Sequence, residues 1–365
     1  MKIQITQGNL NRALGLLSRV ASTRTPLPIL SNILLKASDG VLELAATNLE
    51  VAIICKASGK IDEAGSVTIP ARLLHDFVSQ LPKDLTVNLV FEGTKLFISA
   101  GSYSSHIQGA SAEDFPALPS IGGGVSVDVA SEQLKDALDT TMLAASHDET
   151  RPILGGVYMH TADGNLLMAA TDGYRLAEKK LTPTDAEVSA VVPASTLQDV
   201  LRIMQDSGEE TTTLQFDEGQ FGVATETVQL VSRLVDGQYP AYRQLIPEQS
   251  EINFAVPRSD FLTAVKLAGL FARESGGSIT IKASEDEKTV TVSSIASQIG
   301  DNNSSIEGTV SGSGEVVVNV KYLTDALGCF SSDQINFRFS GSISPCVITT
   351  GEQTGYQHIV MPLKG

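Results

Sequence analysis

The sequence predicts an α+β protein built as three repeats of one domain, each with two helices packed on antiparallel sheet. The first observation is internal repetition. GNLNRAL around Leu10 returns as EQLKDAL around Leu134 and as SDFLTAV around Phe261. VTIPARLLHDFVSQL with Pro70 returns as AVVPASTLQDVLRIM with Pro193, and as VVVNVKYLTDALGCF with Asn319 where the proline stood. Each third also closes on a proline: DFPAL at Pro116, QYPAY at Pro240, IVMPL at Pro362. A unit this long is a whole domain, not the roughly 20–50-residue unit of a solenoid. The second observation is that each third carries two segments with apolar residues at helical spacing. The third is the run of short Val-, Ile- and Leu-rich strands between them, punctuated by turn pairs such as Asp39-Gly40 and Asp163-Gly164. The domains expected are 1–122, 123–247 and 248–365.

Each third opens on a short strand: Lys2 to Thr6, Val125 to Val129, Ile252 to Val256. A helix follows, with Leu10, Ala13, Leu14 and Leu17 on one face in the first copy. Strands come next. A second helix starts after Pro70, Pro193 and Asn319, carrying Leu73, Leu74, Phe77, Val78 and Leu81 in copy one and Leu197, Val200, Leu201 and Met204 in copy two. Further strands complete the copy. Few helices among many short strands fit antiparallel sheet with the helices on one side. Gly122-Gly123-Gly124 reads as a flexible joint, Pro247 to Glu251 as the second joint, and Ser311 to Gly314 as a hairpin loop.

The 365 residues carry a net charge of -16, which read as an average argues against nucleic acid. A basic inner surface under an acidic exterior gives the same total. Trp is absent and aromatics are 5%, which disfavours stacking platforms for single strands. Cys55, Cys329 and Cys346 have no metal-site or redox spacing and read as buried small hydrophobes, as in a reducing cytosol. No segment has the length and apolarity of a membrane span, so a cytoplasmic protein with no membrane partner is expected.

A search for chemistry yields no catalytic set, no metal site and no cofactor motif. His75, His106, His147, His160 and His358 form no HExxH or HxH, and GxSxG, GxGxxG and Walker loops are missing. Asp148 and Glu149 before Arg151-Pro152 read as a solvated loop. A repeat-built structural or adhesive protein, and a hydrolase centred on His147, Asp148 and Arg151, are the alternatives.

The sharpest strings are ATDGYRL at Ala170 to Leu176, LVDGQYPAYRQLIP at Leu234 to Pro247, TRTPLPIL at Thr23 to Leu30, and IVMPLKG at the end. Together, in this order and across all three copies, they closely resemble the bacterial DNA polymerase III beta subunits, the sliding clamps. The resemblance implies a head-to-tail homodimer forming a six-domain ring around duplex DNA, with helices lining the hole and sheets outside. Two heterologous contacts close such a ring. Phosphate contacts from the lining carry no sequence information and leave the duplex free to slide. The positions implied for that lining are Arg12, Arg19, Arg24, Arg72, Lys135, Arg202, Lys266 and Lys321. Bases are missing at Ala194 and Ser195.

The resemblance also implies an apolar groove that takes short motifs from partners. Its positions here are Arg151, Leu154, Thr171, Gly173, Tyr174, Arg175, Leu176, Pro240, Leu245, Asn319, Tyr322, Ile343, Ile359, Met361, Pro362 and Leu363. Apolar residues would form adaptable walls while Arg and Asn orient a peptide backbone. The chain departs from the family pattern at Tyr174 (often His), Gln244 (often Arg), Gly276-Gly277 (an aromatic) and Lys364-Gly365 (Arg-Leu). The implied subunit contact is Ile107 on one side, with Leu270 and an exposed Phe271 on the other. The implied partners are double-stranded DNA, a second copy of the chain, the polymerase III alpha subunit, the clamp loader complex, other polymerases, mismatch-repair proteins and ligase.

Overall fold

The computed structural model describes residues 1–21, 27–38, 40–273, 275–296, 300–351 and 355–363, with Asp206 lacking a described side chain. Arg24 and Lys364-Gly365 therefore lie outside the described residues, as does the first half of the Asp39-Gly40 turn.

The six helices among the described residues are α1 (Gln7–Val20), α2 (Ala71–Gln80), α3 (Ser131–Thr141), α4 (Ala194–Ser207), α5 (Arg258–Phe271) and α6 (Val320–Gly328). Each follows directly on a strand, two per third as the repeats predict. The residue at the junction explains the start. Pro70 and Pro257 cap α2 and α5 with φ preset near -52° and -59°. Asn319 does the same work by hydrogen bonding: its side-chain oxygen accepts from the Lys321 and Tyr322 amides at 2.9 and 3.4 Å.

The chain folds as two compact units, 1–135 with 195–234 and 136–194 with 235–365, so the middle third is divided between them. In the first unit, Val228–Arg233 of the middle third pairs antiparallel with Val51–Ser58 of the first third, in register Leu230↔Ile53. This joins four strands from each third into one sheet. Its order is 125–130, 211–216, 220–224, 228–233, 51–58, 41–47, 32–38, 65–70. A second sheet of five strands ends on Tyr103–Gln108. In the second unit, Arg175–Pro183 pairs antiparallel with Tyr356–Val360, in register Leu176↔Ile359, within a nine-stranded sheet. A four-stranded sheet there ends on Gly300–Glu307.

The cores largely follow the predicted periodicity, except in α2, where Leu74 and Val78 are buried but Leu73 is 55% exposed and Phe77 half-buried. In the first unit α1 buries Leu10, Ala13, Leu14 and Leu17 against the 41–47 and 51–58 strands and α2. In the second, α5 buries Phe261, which meets Phe254 and Phe337 edge-on at 5.7 and 6.0 Å while those two rings stack at 5.0 Å. Burial of each such side chain is worth about 1.5–3 kcal/mol. Cys55 and Cys346 are buried, which pushes both thiols up to about 12. Cys329 is only half-buried and donates to the Asp325 carbonyl at 3.4 Å.

Two loop expectations change. Ser311 to Gly314 is not a hairpin: Thr309–Ser311 belongs to the nine-stranded sheet and Gly314–Asn319 to the four-stranded one, so the loop carries the chain between sheets. Gly124 is more than a joint. Its φ is +89°, and a Cβ there would lie 2.0 Å from the Phe216 carbonyl oxygen, so only glycine fits. The Asp163-Gly164 turn is a tight two-residue hairpin, with φ of +52° and +68° joining 156–162 to 165–171.

One buried histidine gives a pH prediction. The Tyr356 hydroxyl donates to the Thr140 carbonyl at 3.1 Å, so His358 Nδ1, 2.8 Å from the same oxygen, must be the donor to it. Its Nε2 is buried with no partner, so a second proton would be unpaired. Burial, then the Arg175 charge, pulls its pKa down to about 3. The unfolded chain therefore binds this proton more readily. The stability due to neutral His358 is complete above about pH 6.5 and is lost as pH falls toward 3, on the order of 4 kcal/mol. Melting temperatures measured from pH 7 to 4 should fall, and less steeply in His358→Gln; parallel curves would refute this.

Candidate functional site

The site grows from the ATDGYRL turn. The Asp172 carboxylate accepts the Tyr174 and Arg175 amides at 2.9 and 3.0 Å. The Thr171 hydroxyl accepts the Gly173 amide at 3.0 Å and donates to the Arg175 carbonyl at 2.6 Å. Gly173 holds φ +92°, which favours glycine. The turn thus delivers Tyr174, Arg175 and Leu176 in fixed directions into strand 175–183.

Side chains then alternate across the sheet. Leu176 enters a buried cluster with Leu154, Ala169, Val191, Tyr239, Tyr242, Val347 and Ile359. Tyr174 remains 56% exposed and stacks on Tyr322 at 6.4 Å. Burial raises the Tyr322 phenol, with the nearby Asp172 charge adding to it. The Met361 amide donates to the Tyr174 carbonyl at 2.8 Å, and the Leu363 amide to the Val317 carbonyl at 2.8 Å, tying down the half-buried 361–363 segment. Pro240 and Leu245 flank the cluster as exposed residues of the chain that carries Tyr239 and Tyr242, with Leu245 59% exposed. Ile343, 77% exposed, stands outside the buried cluster.

The polar residues of the expected groove behave differently from the expectation. Arg175 is 7% exposed and already engaged: Nε lies 3.1 Å from Asp172, Nη1 2.6 Å from Asp325, and the guanidinium 4.9 Å over Tyr322. It fastens the turn to α6 rather than reaching toward a peptide. Asn319 caps α6 with its oxygen. Arg151 pairs with Asp148 at 3.0 Å and donates to the Asp172 carbonyl at 3.4 Å. Hydrogen bonds from Thr150 and then Arg151 hold the Asp148 carboxyl below the usual range, so the Asp148 loop is an ordered support.

Sequence reasoning missed Asp172, Asp325, Glu178 and Tyr242. A signal existed for the first. In the matching AATNLEV segment Asn48 accepts the Glu50 and Val51 amides at 3.0 and 2.7 Å, and Thr47 donates to the Val51 carbonyl at 2.9 Å. This is the same turn, with Leu49 at φ +76° where the second copy has Gly173. The repeat conserves the turn chemistry between copies, not only the core.

The expected phosphate contacts divide into two groups. Arg12, Arg19 and Arg72 stand exposed on the faces of α1 and α2 opposite their buried residues, and Lys266 and Lys321 are exposed on α5 and α6. Lys135 and Arg202, from the middle third, instead pair with Glu132 and Asp199 at 2.9 and 2.7 Å. An acid three residues away offsets their charge. Of the expected subunit contacts, Leu270 is 59% exposed and Phe271 is half-buried. Ile107 is 4% exposed, packed within its own chain on strand 103–108, and has almost no surface left for a partner.

Three family models cover the chain: DNA polymerase III beta subunit N-terminal domain over residues 1–119, central domain over 128–241 and C-terminal domain over 243–364. A beta sliding clamp of Synechococcus elongatus is 32% identical over 100% of this chain and 99% of its own. The chain belongs to the DNA polymerase III beta subunit family, the beta sliding clamps. Its fold follows suit. The crystal structure of the Caulobacter crescentus beta sliding clamp matches with TM-score 0.94 at 31% identity, over 100% of this chain and 99% of that one. A Pseudomonas aeruginosa sliding clamp bound to griselimycin matches with TM-score 0.94 at 25% identity, over 100% of both chains. The three repeats are thus three clamp domains.

Proposed function

We propose that this family member works as a ring-shaped homodimer that encloses duplex DNA and tethers the replicative polymerase for processivity. The observation that carries this is the surface built where strand 175–183 of the middle repeat pairs with strand 356–360 of the last. There a buried apolar floor of Leu154, Leu176 and Ile359 is flanked by exposed Tyr174, Pro240 and Leu245. Such a surface suits a short apolar motif, and one motif surface serves many partners in turn. The partners are the polymerase III alpha subunit, the clamp loader complex, other polymerases, mismatch-repair proteins and ligase. Tethering keeps a bound polymerase at high effective concentration near the primer end. The chain is non-catalytic, acts in the cytoplasm, and divides at 1–122, 123–247 and 248–365.

Ring closure uses the outermost strands Tyr103–Gln108 and Gly300–Glu307, each of which ends a sheet. Pairing one with the other on a second copy removes both open edges. Leu270 and Phe271 then bury apolar surface, while Ile107 supports strand 103–108 from behind. Sedimentation across a dilution series tests this. A dimer, twice the 38.6 kDa chain, is expected; a monomer at every concentration removes the ring. Arg12, Arg19, Arg24, Arg72, Lys266 and Lys321 supply the main phosphate contacts, and the paired Lys135 and Arg202 contribute less. Replacing Arg24 and Arg72 with Glu lowers loading onto primed circles, most at low salt. Equal loading at all salt concentrations would reject the assignment.

A further inference from the structure

We propose that Glu178 is the positioning residue of the groove wall: its carboxylate, acting through Tyr242, holds the Pro240–Leu245 segment against the sheet so that the wall is preformed for a motif peptide. This deepens the groove reading above and rests on it.

Glu178 lies two residues beyond Leu176 on the same sheet face and is 6% exposed. A buried carboxylate is costly unless its oxygens are satisfied. Here Tyr242 donates its hydroxyl to Oε2 at 2.5 Å, Gln357 of the adjacent strand donates to Oε1 at 2.7 Å, and Arg243 Nε stands 3.5 Å from Oε2. The Tyr242 ring itself belongs to the cluster that contains Leu154, Leu176 and Ile359. One side chain is therefore part of the groove floor and also the tether of the wall.

The tether is directional. Tyr242 has one proton, and it goes to Glu178. His160 Nε2, 2.7 Å from the same oxygen, must then be the donor, which sets its tautomer. Burial lowers the His160 pKa, and burial with the Glu178 charge raises that of Tyr242, so the imidazole stays neutral and the phenol keeps its proton. His160 stacks on Tyr158 at 4.5 Å, Tyr158 stacks on Tyr239 at 5.0 Å, and the Tyr239 hydroxyl accepts the Thr171 amide at 3.0 Å. The network thereby ends on the ATDGYRL turn. Among the described residues, the non-helical backbone bonds of Tyr242, Gln244 and Ile246 are all local, to Pro240, Ala241 and Arg243. Side chains, not backbone pairing, attach this segment to the sheet.

The test titrates the full-length protein with a fluorescein-labelled peptide carrying a polymerase-type clamp motif. Tyr242→Phe keeps the ring and removes the hydroxyl, which takes away the Glu178 tether and the acceptor of His160 together; Glu178→Gln removes the charge. Each should weaken binding about tenfold, as expected for a hydrogen bond to a charged group. The double variant should be no weaker than either single one. Leu245→Ala should weaken the parent protein but add nothing in the Tyr242→Phe background, because the wall is already unfixed. A purely structural role would give additive losses, and additivity or unchanged affinity overturns the proposal. If Glu178→Gln fails to fold, Tyr242→Phe and its cycle with Leu245→Ala decide. Leu176→Asp separates the two readings. Lost binding there with normal binding in Tyr242→Phe overturns the positioning role alone; unaffected binding in Leu176→Asp overturns the groove.

Discussion

Leu176→Asp is expected to abolish binding of a polymerase-type motif peptide while the dimer persists. Leu176 is 4% exposed and packs with Leu154, Tyr242, Val347 and Ile359. A carboxylate there meets an acid as the next residue on its face, Glu178, and the adjacent Arg175 is already paired with Asp172 and Asp325. The new group would draw water into the floor and remove the apolar surface a peptide needs. Affinity should drop by at least about a hundredfold, the scale of losing one central apolar anchor. Leu245→Ala is a gentler companion, since Leu245 is 59% exposed and its truncation spares the core. Fluorescence titration of both variants, with sedimentation to check the dimer, decides the matter. Unchanged affinity in both would remove the groove from this surface.

Arg175→Ala should cost substantial stability without touching the apolar floor. Its guanidinium joins Asp172, on the turn, to Asp325, on α6, beneath the face of Tyr322. Removal leaves two carboxylates, 15% and 35% exposed, without their cation. Losing one partner of a buried pair costs about 3–5 kcal/mol, and the partial exposure of Asp325 puts this case at the lower end. The α6 tether of the turn also goes, so Tyr174 loses its fixed place beside Tyr322. Arg175→Lys should recover part of the loss, because an ammonium meets one carboxylate but cannot bridge both as a fork. Denaturant midpoints for the three proteins measure this. Equal midpoints for Arg175→Ala and the parent would show that the pair contributes nothing.

The second helix of each third was legible because Pro70, Pro193 and Asn319 recur at one place in the repeat, and much of the apolar spacing that follows is buried, with Leu73 of α2 the exposed exception. The apolar floor was legible through the resemblance, and Leu154, Leu176 and Ile359 do share one cluster. The polar part was not. Arg175 reads as a free donor in sequence, because its two carboxylates come from a turn and from a helix 150 residues away. Ile107 reads as surface because strand alternation alone does not say which face is covered. Glu178 and Tyr242 lie 64 residues apart, and nothing in either local string marks them as a pair. Long-range pairing of polar groups is what periodicity cannot report, whereas the turn at Asp172 could have been found by comparing it with Asn48.

The central claim is topological, and its most direct test is retention on DNA. The labelled protein is loaded onto a nicked circular duplex by a clamp loader with ATP, purified from free protein by gel filtration, and the DNA is then cut once. A ring that encloses without gripping stays on the circle and is lost when the circle becomes linear. Equal retention before and after the cut, or no retention on the intact circle by a protein that sediments as a dimer, would contradict enclosure.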